Sequence, residues 1–66
     1  MKLQVDGMTC GHCERAVTAA ITALDPGATV VVDRARKRVE VEGAFSVAAA
    51  SAAIEAEGYQ VAVLES

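Results

Sequence analysis

Two hydrophobic periods alternate along this chain. Leu3 and Val5 alternate with Lys2, Gln4 and Asp6, a period of two that predicts a first strand. Residues 7–11 read as a loop. From His12 or Cys13 the spacing lengthens: Val17, Ala20, Ile21 and Leu24 fall three and four apart, with Glu14, Arg15, Thr18 and Thr22 on the other side. That pattern predicts an amphipathic helix. Asp25-Pro26-Gly27 ends it, because proline cannot continue a helix and disfavours helical geometry in the residue before it. Residues 29–33 are β-branched, with Val30 and Val32 the inward pair. Residues 38–42 alternate cleanly, Val39 and Val41 inward and Arg38, Glu40 and Glu42 outward. The basic residues between these two strands fit a hairpin connection, and Gly43 closes the third strand. Ser46 is placed as an N-cap with Phe45 as a staple residue before it. Residues 47–57 are alanine-dense and predict a second helix, its inner stripe formed by Val47, Ala50, Ala53 and Ile54. Gly58 terminates it. Residues 59–64 read as a last strand with Val61 and Val63 facing in.

The predicted order is βαββαβ, with no linker or low-complexity tract, so residues 1–66 are expected to form a single domain. Two helix-plus-strand halves of this kind pack as a ferredoxin-like α+β sandwich, a four-stranded antiparallel sheet with two helices on one face. A chain of 66 residues buries only about 60% of the surface its unfolded form exposes. Ala and Val dominate the apolar share and Phe45 and Tyr59 are the only aromatics, so the core must be small-grained. The fold hosts many unrelated functions and cannot decide this one.

Net charge is −3, which argues against a general nucleic-acid binder. RNA-recognition modules share the element order but stack bases on sheet aromatics, and residues 38–42 contain none. Four of the six basic side chains lie in Arg34-Ala35-Arg36-Lys37-Arg38. This run reads either as a docking patch for an acidic partner or as a solvated turn. No stretch approaches the ~20 apolar residues of a membrane span. No apolar segment follows Lys2 as in a signal peptide. A soluble, cytoplasmic protein without membrane insertion is expected. In that reducing compartment, cysteines are more often thiols, metal ligands or redox groups than structural disulfides.

Both cysteines lie in Gly7-Met8-Thr9-Cys10-Gly11-His12-Cys13, between the first strand and the first helix. Cys10 falls in the loop and Cys13 in the first turn of the helix, where the positive end of the helix dipole favours a thiolate. Two soft thiolates suit an ion that accepts low coordination numbers, and Cu(I) is one. Structural zinc would need four ligands, and an iron–sulfur cluster four cysteines; one pair and one histidine supply neither. A Cys-x-x-Cys at a helix start is also the layout of a thiol–disulfide redox site. Against that, the element order is not thioredoxin-like, and Pro26, the one proline, falls at the other end of the first helix.

Gly-Met-Thr-Cys-x-x-Cys after a first strand, inside a βαββαβ chain of this length with Gly58-Tyr59 before the last strand, resembles the heavy-metal-associated domain family. Within it the chain is most similar to the free-standing bacterial copper chaperones. The resemblance implies a metal-handling protein rather than an enzyme, with Cys10 and Cys13 as Cu(I) ligands. Met8 would then be an apolar prop beneath the loop, and Thr9 a cap on the loop or helix start. Thr9 also stands where zinc- or cadmium-preferring relatives often carry an acidic residue. Tyr59 would lie close to the metal loop, shielding the sulfurs and tuning release. His12 is a candidate third ligand, or a stabiliser of a copper-bridged homodimer, and otherwise a solvent-facing side chain. Met8 and Tyr59 also have plain structural readings, as gap-filling core and as a strand aromatic. Asp6 and Glu14 read as ordinary surface charge. The resemblance further implies transfer of copper by ligand exchange to the metal-binding domain of a copper-transporting P-type ATPase. Mercury, Hg(II), is the other soft ion such a pair would suit.

Overall fold

A computed structural model describes residues 1–9 and 11–65. The elements run β1 (Lys2–Asp6), α1 (Gly11–Leu24), β2 (Thr29–Asp33), β3 (Arg38–Glu42), α2 (Val47–Glu55) and β4 (Gln60–Glu65). The strands form one antiparallel sheet in the order β2-β3-β1-β4. This is the ferredoxin-like arrangement that the alternating periods predict.

Register follows burial. Leu3 stands opposite Val39 on one side and Val63 on the other, and Val5 stands opposite Val61. One face of the sheet is therefore continuously apolar, and both helices cover it. The core holds Leu3, Val5, Met8, Val17, Ile21, Val39, Val41, Ala50 and Ile54. Fully burying a side chain of this size stabilises by about 1.5–3 kcal/mol relative to leaving it exposed. Phe45, Val47, Tyr59 and Val61 pack around this centre, half-buried.

Local signals set most boundaries. Ser46 has extended backbone and its side chain accepts the Ala49 N–H at 3.1 Å, so α2 starts where its N-cap predicts. The helix ends earlier than its composition predicts, at Glu55 rather than Glu57. There the Glu57 N–H turns to Ile54 O and the Gly58 N–H to Glu55 O, the tighter three-residue closure of a helix end. Glycine at φ +98° then redirects the chain, and β4 begins at Gln60, not Tyr59. α1 begins at Gly11, inside the stretch predicted as loop.

Two residues on predicted inner faces are not covered. Leu24 is 42% exposed on the last residue of α1, and Val63 is 50% exposed although it shares a face with Leu3. Periodicity selects a face; whether a neighbour reaches far enough to cover it depends on lengths. β4 is an edge strand, and α2 is too short to shelter its far end.

Candidate metal centre

The end of β1, the start of α1 and the turn before β4 meet at one end of the sheet. Gly7 leaves β1 at φ +105°, a backbone conformation L side chains rarely adopt. The ring of Tyr59 lies against it: a Cβ at Gly7 would stand 3.2 Å from Tyr59 Cδ1. Glycine is needed here for both reasons, and the close approach anchors the β1–α1 connection to the start of β4. Met8 turns into the core and is 8% exposed. Its side chain therefore supports the connection from beneath.

Cys13 is the third residue of α1, half-buried, and packs against the core. Its Sγ lies 3.9 Å from Thr9 Oγ1 and 4.0 Å from the carbonyl oxygen of Gly7. The sulfur thus faces back across the connection, toward the segment that carries the first cysteine. At these distances neither contact is a strong hydrogen bond. Cys10 lies outside the described residues. His12 is exposed at the second position of α1, and Thr9 is exposed beside the sulfur.

Electrostatics at this end come from the β2–β3 turn. Three of its four basic neighbours have carboxylate partners within the chain: Arg34 with Glu14 at 3.1 Å, Arg36 with Asp33 at 3.8 Å and Lys37 with Asp6 at 3.8 Å. Read from the sequence, Asp6 and Glu14 were ordinary surface charges; in the fold they are the two residues that the basic turn engages. The signal that could have found them is topological. In a βαββαβ fold the β2–β3 turn returns to the end where β1 stops and α1 starts.

At the opposite end, two backbone donors converge on the Asp25 carboxylate. Asp25 Oδ2 accepts the Ala44 N–H at 2.9 Å and Oδ1 accepts the Gly27 N–H at 3.0 Å. These two bonds, Ala44 first, hold its carboxyl below the ordinary aspartate value. No helix among the described residues is long and apolar enough to cross a membrane.

The family model "Heavy-metal-associated domain" matches residues 2–60. The "Copper chaperone CopZ" of Bacillus subtilis (strain 168) is 40% identical over 63 residues, covering 91% of this chain and 91% of the relative. Among solved structures, the "Copper chaperone Atx1 from Synechocystis PCC6803 (Cu2 form)" superposes with a TM-score of 0.90 at 34% identity, covering 94% of this chain and 98% of that one. A protein whose structure is named "Crystal structure of Gold binding protein" superposes with a TM-score of 0.86 at 38% identity, covering 92% and 94%.

Proposed function

The chain belongs to the heavy-metal-associated domain family, and from that premise we propose that it is a copper metallochaperone holding Cu(I) between Cys10 and Cys13. The observation that carries this reading is the position of Cys13: its half-buried sulfur stands at the helix start and faces the connection that bears Cys10. Two thiolates match the softness and low coordination number of Cu(I). A related gold-binding structure and the copper-named relatives both point to soft coinage ions.

Cargo release follows from the same chemistry. A two-coordinate ion at the rim of a fold leaves room for an incoming thiolate. The partner's first sulfur adds, one thiolate of this chain departs, and a second exchange completes the transfer. No substrate bond is made or broken beyond metal–sulfur bonds, so the protein acts as a carrier and not as an enzyme. The recipient would be a protein with a similar pair of cysteines, such as the metal-binding domain of a copper-transporting P-type ATPase in the cytoplasm. A copper-bridged homodimer is the same exchange arrested between two copies. Met8 supports the loop as packing, Thr9 and Tyr59 flank the sulfur and the Gly7 turn, and exposed His12 faces whatever docks.

An anaerobic Cu(I) titration of the reduced protein against a competing chelator tests this. About one tight Cu(I) per chain is expected, lost in Cys10→Ser and in Cys13→Ser. Unchanged binding in the double variant overturns the proposal.

A further inference from the structure

The basic run at residues 34–38 invites a docking role, yet Arg34, Arg36 and Lys37 have carboxylate partners within the chain. Lys37 has φ 57°, left-handed backbone that is uncommon for anything but glycine or asparagine. Its carbonyl accepts the Val5 N–H at 2.7 Å, which ties the turn to β1, and its Nζ stands 3.8 Å from Asp6 Oδ1. Arg34 closes the turn by accepting the Lys37 N–H on its carbonyl at 3.2 Å, and its Nε stands 3.1 Å from Glu14 Oε1. Asp6 immediately precedes Gly7, and Glu14 immediately follows Cys13. The two ion pairs therefore bracket the metal-binding segment, one on each flank.

The fold gives the second pair particular leverage. An open groove of about 530 Å³ separates α1 from β2, lined by Glu14, Thr18, Thr22, Val30 and Val32 among others. Glu14, in the first turn of α1, lines this groove, and Arg34 reaches it from the β2–β3 turn at 3.1 Å. A merely solvated turn would gain from glycine at position 37. A lysine kept in a strained conformation, with both its carbonyl and its ammonium group engaged toward β1, is over-determined in the way functional positions are.

We propose that the β2–β3 turn is a clamp: Lys37 on Asp6 and Arg34 on Glu14 hold the two flanks of the loop so that its sulfurs stay presented to the metal. Lys37 and Arg34 are positioning residues, acting through Asp6 and Glu14. The clamp rests on the copper reading for its consequence but not for its existence. Each pair is more than a third exposed, so each is weak and sensitive to salt.

The test combines Lys37→Gly with Arg34→Gln. Glycine relieves the backbone strain at 37, so urea unfolding should show stability equal to or above that of Arg34→Gln alone. Copper release to a competing chelator should nevertheless quicken by about twofold to fivefold, the scale of weak surface pairs. Raising the salt from roughly 0.01 to 0.1 M should accelerate release from the wild type and leave the double variant unchanged. Arg34→Lys, which keeps the charge, should retain most of the wild-type rate. In the metal-free protein, the amides of Gly11 and His12 should exchange faster in the double variant. Equal release rates and salt slopes with equal amide exchange would overturn the clamp. A wild type that takes up no Cu(I) while amide exchange still differs would instead overturn the copper reading and leave the clamp standing.

Discussion

Both ends of the sheet bring a glycine against an aromatic ring, but they are closed by different forces. At the end away from the cysteines, Gly43 lies against Phe45 and Asp25 ties two connections together with charge-assisted bonds of 2.9 and 3.0 Å to backbone N–H groups. At the cysteine end, Gly7 lies against Tyr59, the sulfur-to-oxygen contacts of Cys13 are long at 3.9 and 4.0 Å, and the flanks are held instead by ion pairs at 3.1 and 3.8 Å. The first end satisfies its strongest acceptor internally. At the second, the contacts from Cys13 Sγ to Thr9 Oγ1 and to the Gly7 carbonyl are long ones, which suits the proposed entry and release of a metal.

A matched pair of substitutions would break this contrast if it is wrong. Gly7→Ala forces a side chain into φ +105° and against the Tyr59 ring, and should cost about 1–3 kcal/mol in urea unfolding. It should also weaken copper binding, because the strain falls within the segment that carries the ligands. Gly43→Ala would put a methyl into Phe45 Cε2 and within 3.0 Å of Asp25 Oδ2. Phe45 is half-buried and its ring can swing outward, so about 1–2 kcal/mol is expected, with copper affinity unchanged. Equal loss of copper affinity in the two variants would show that the ends are not independent.

Acid sharpens the same contrast with a smaller effect. The Asp25 carboxyl is held below its ordinary value of 3.8 by the Ala44 and Gly27 N–H groups. Because the folded value is the lower one, its contribution to stability is present above that ordinary value and drains away as pH falls through the folded value. Wild type should therefore exceed Asp25→Asn in thermal stability at neutral pH, and the difference should narrow below about pH 4. A gap that stays constant down to strongly acidic pH would mean that the two bonds do not depend on the charge.

The strands were nearly all legible in the chain because alternation is local: β1, β2 and β3 fall where Leu3/Val5, Val30/Val32 and Val39/Val41 place them. So was the place of Cys13 in the first turn of α1. The errors are those of reach. Residues 56 and 57 favour helix by composition, yet the chain must turn at Gly58 to bring β4 beside β1. Leu24 and Val63 sit on the right faces, but Leu24 ends α1 and Val63 lies on the edge strand, and both stay substantially exposed. Asp25 was legible as part of a helix stop, and the Asx-type bond to Gly27 agrees with that; its second bond, to Ala44, spans 19 residues and has no local signature. The same holds for Arg34 with Glu14 and Lys37 with Asp6, pairings that only the strand order creates.

The smallest effect on stability probes the aromatic at the cysteine end. Tyr59 is half-buried and its ring packs on Gly7 and the core edge, so Tyr59→Phe keeps the packing and removes only the hydroxyl. A single hydrogen-bonding group of this kind changes stability by about 0.5–1.5 kcal/mol. If the tyrosine serves only as the lid on Gly7, copper release will match wild type, and the residue corresponds to Phe45 at the other end. The copper reading predicts otherwise: the ring packs on Gly7, whose carbonyl lies beside the half-buried Cys13 sulfur, so loss of the hydroxyl should change the release rate, measured by stopped-flow transfer to a chelator, more than it shifts the unfolding midpoint. A changed rate without a changed fold would separate the two rings by function, one closing the sheet and the other regulating what leaves it.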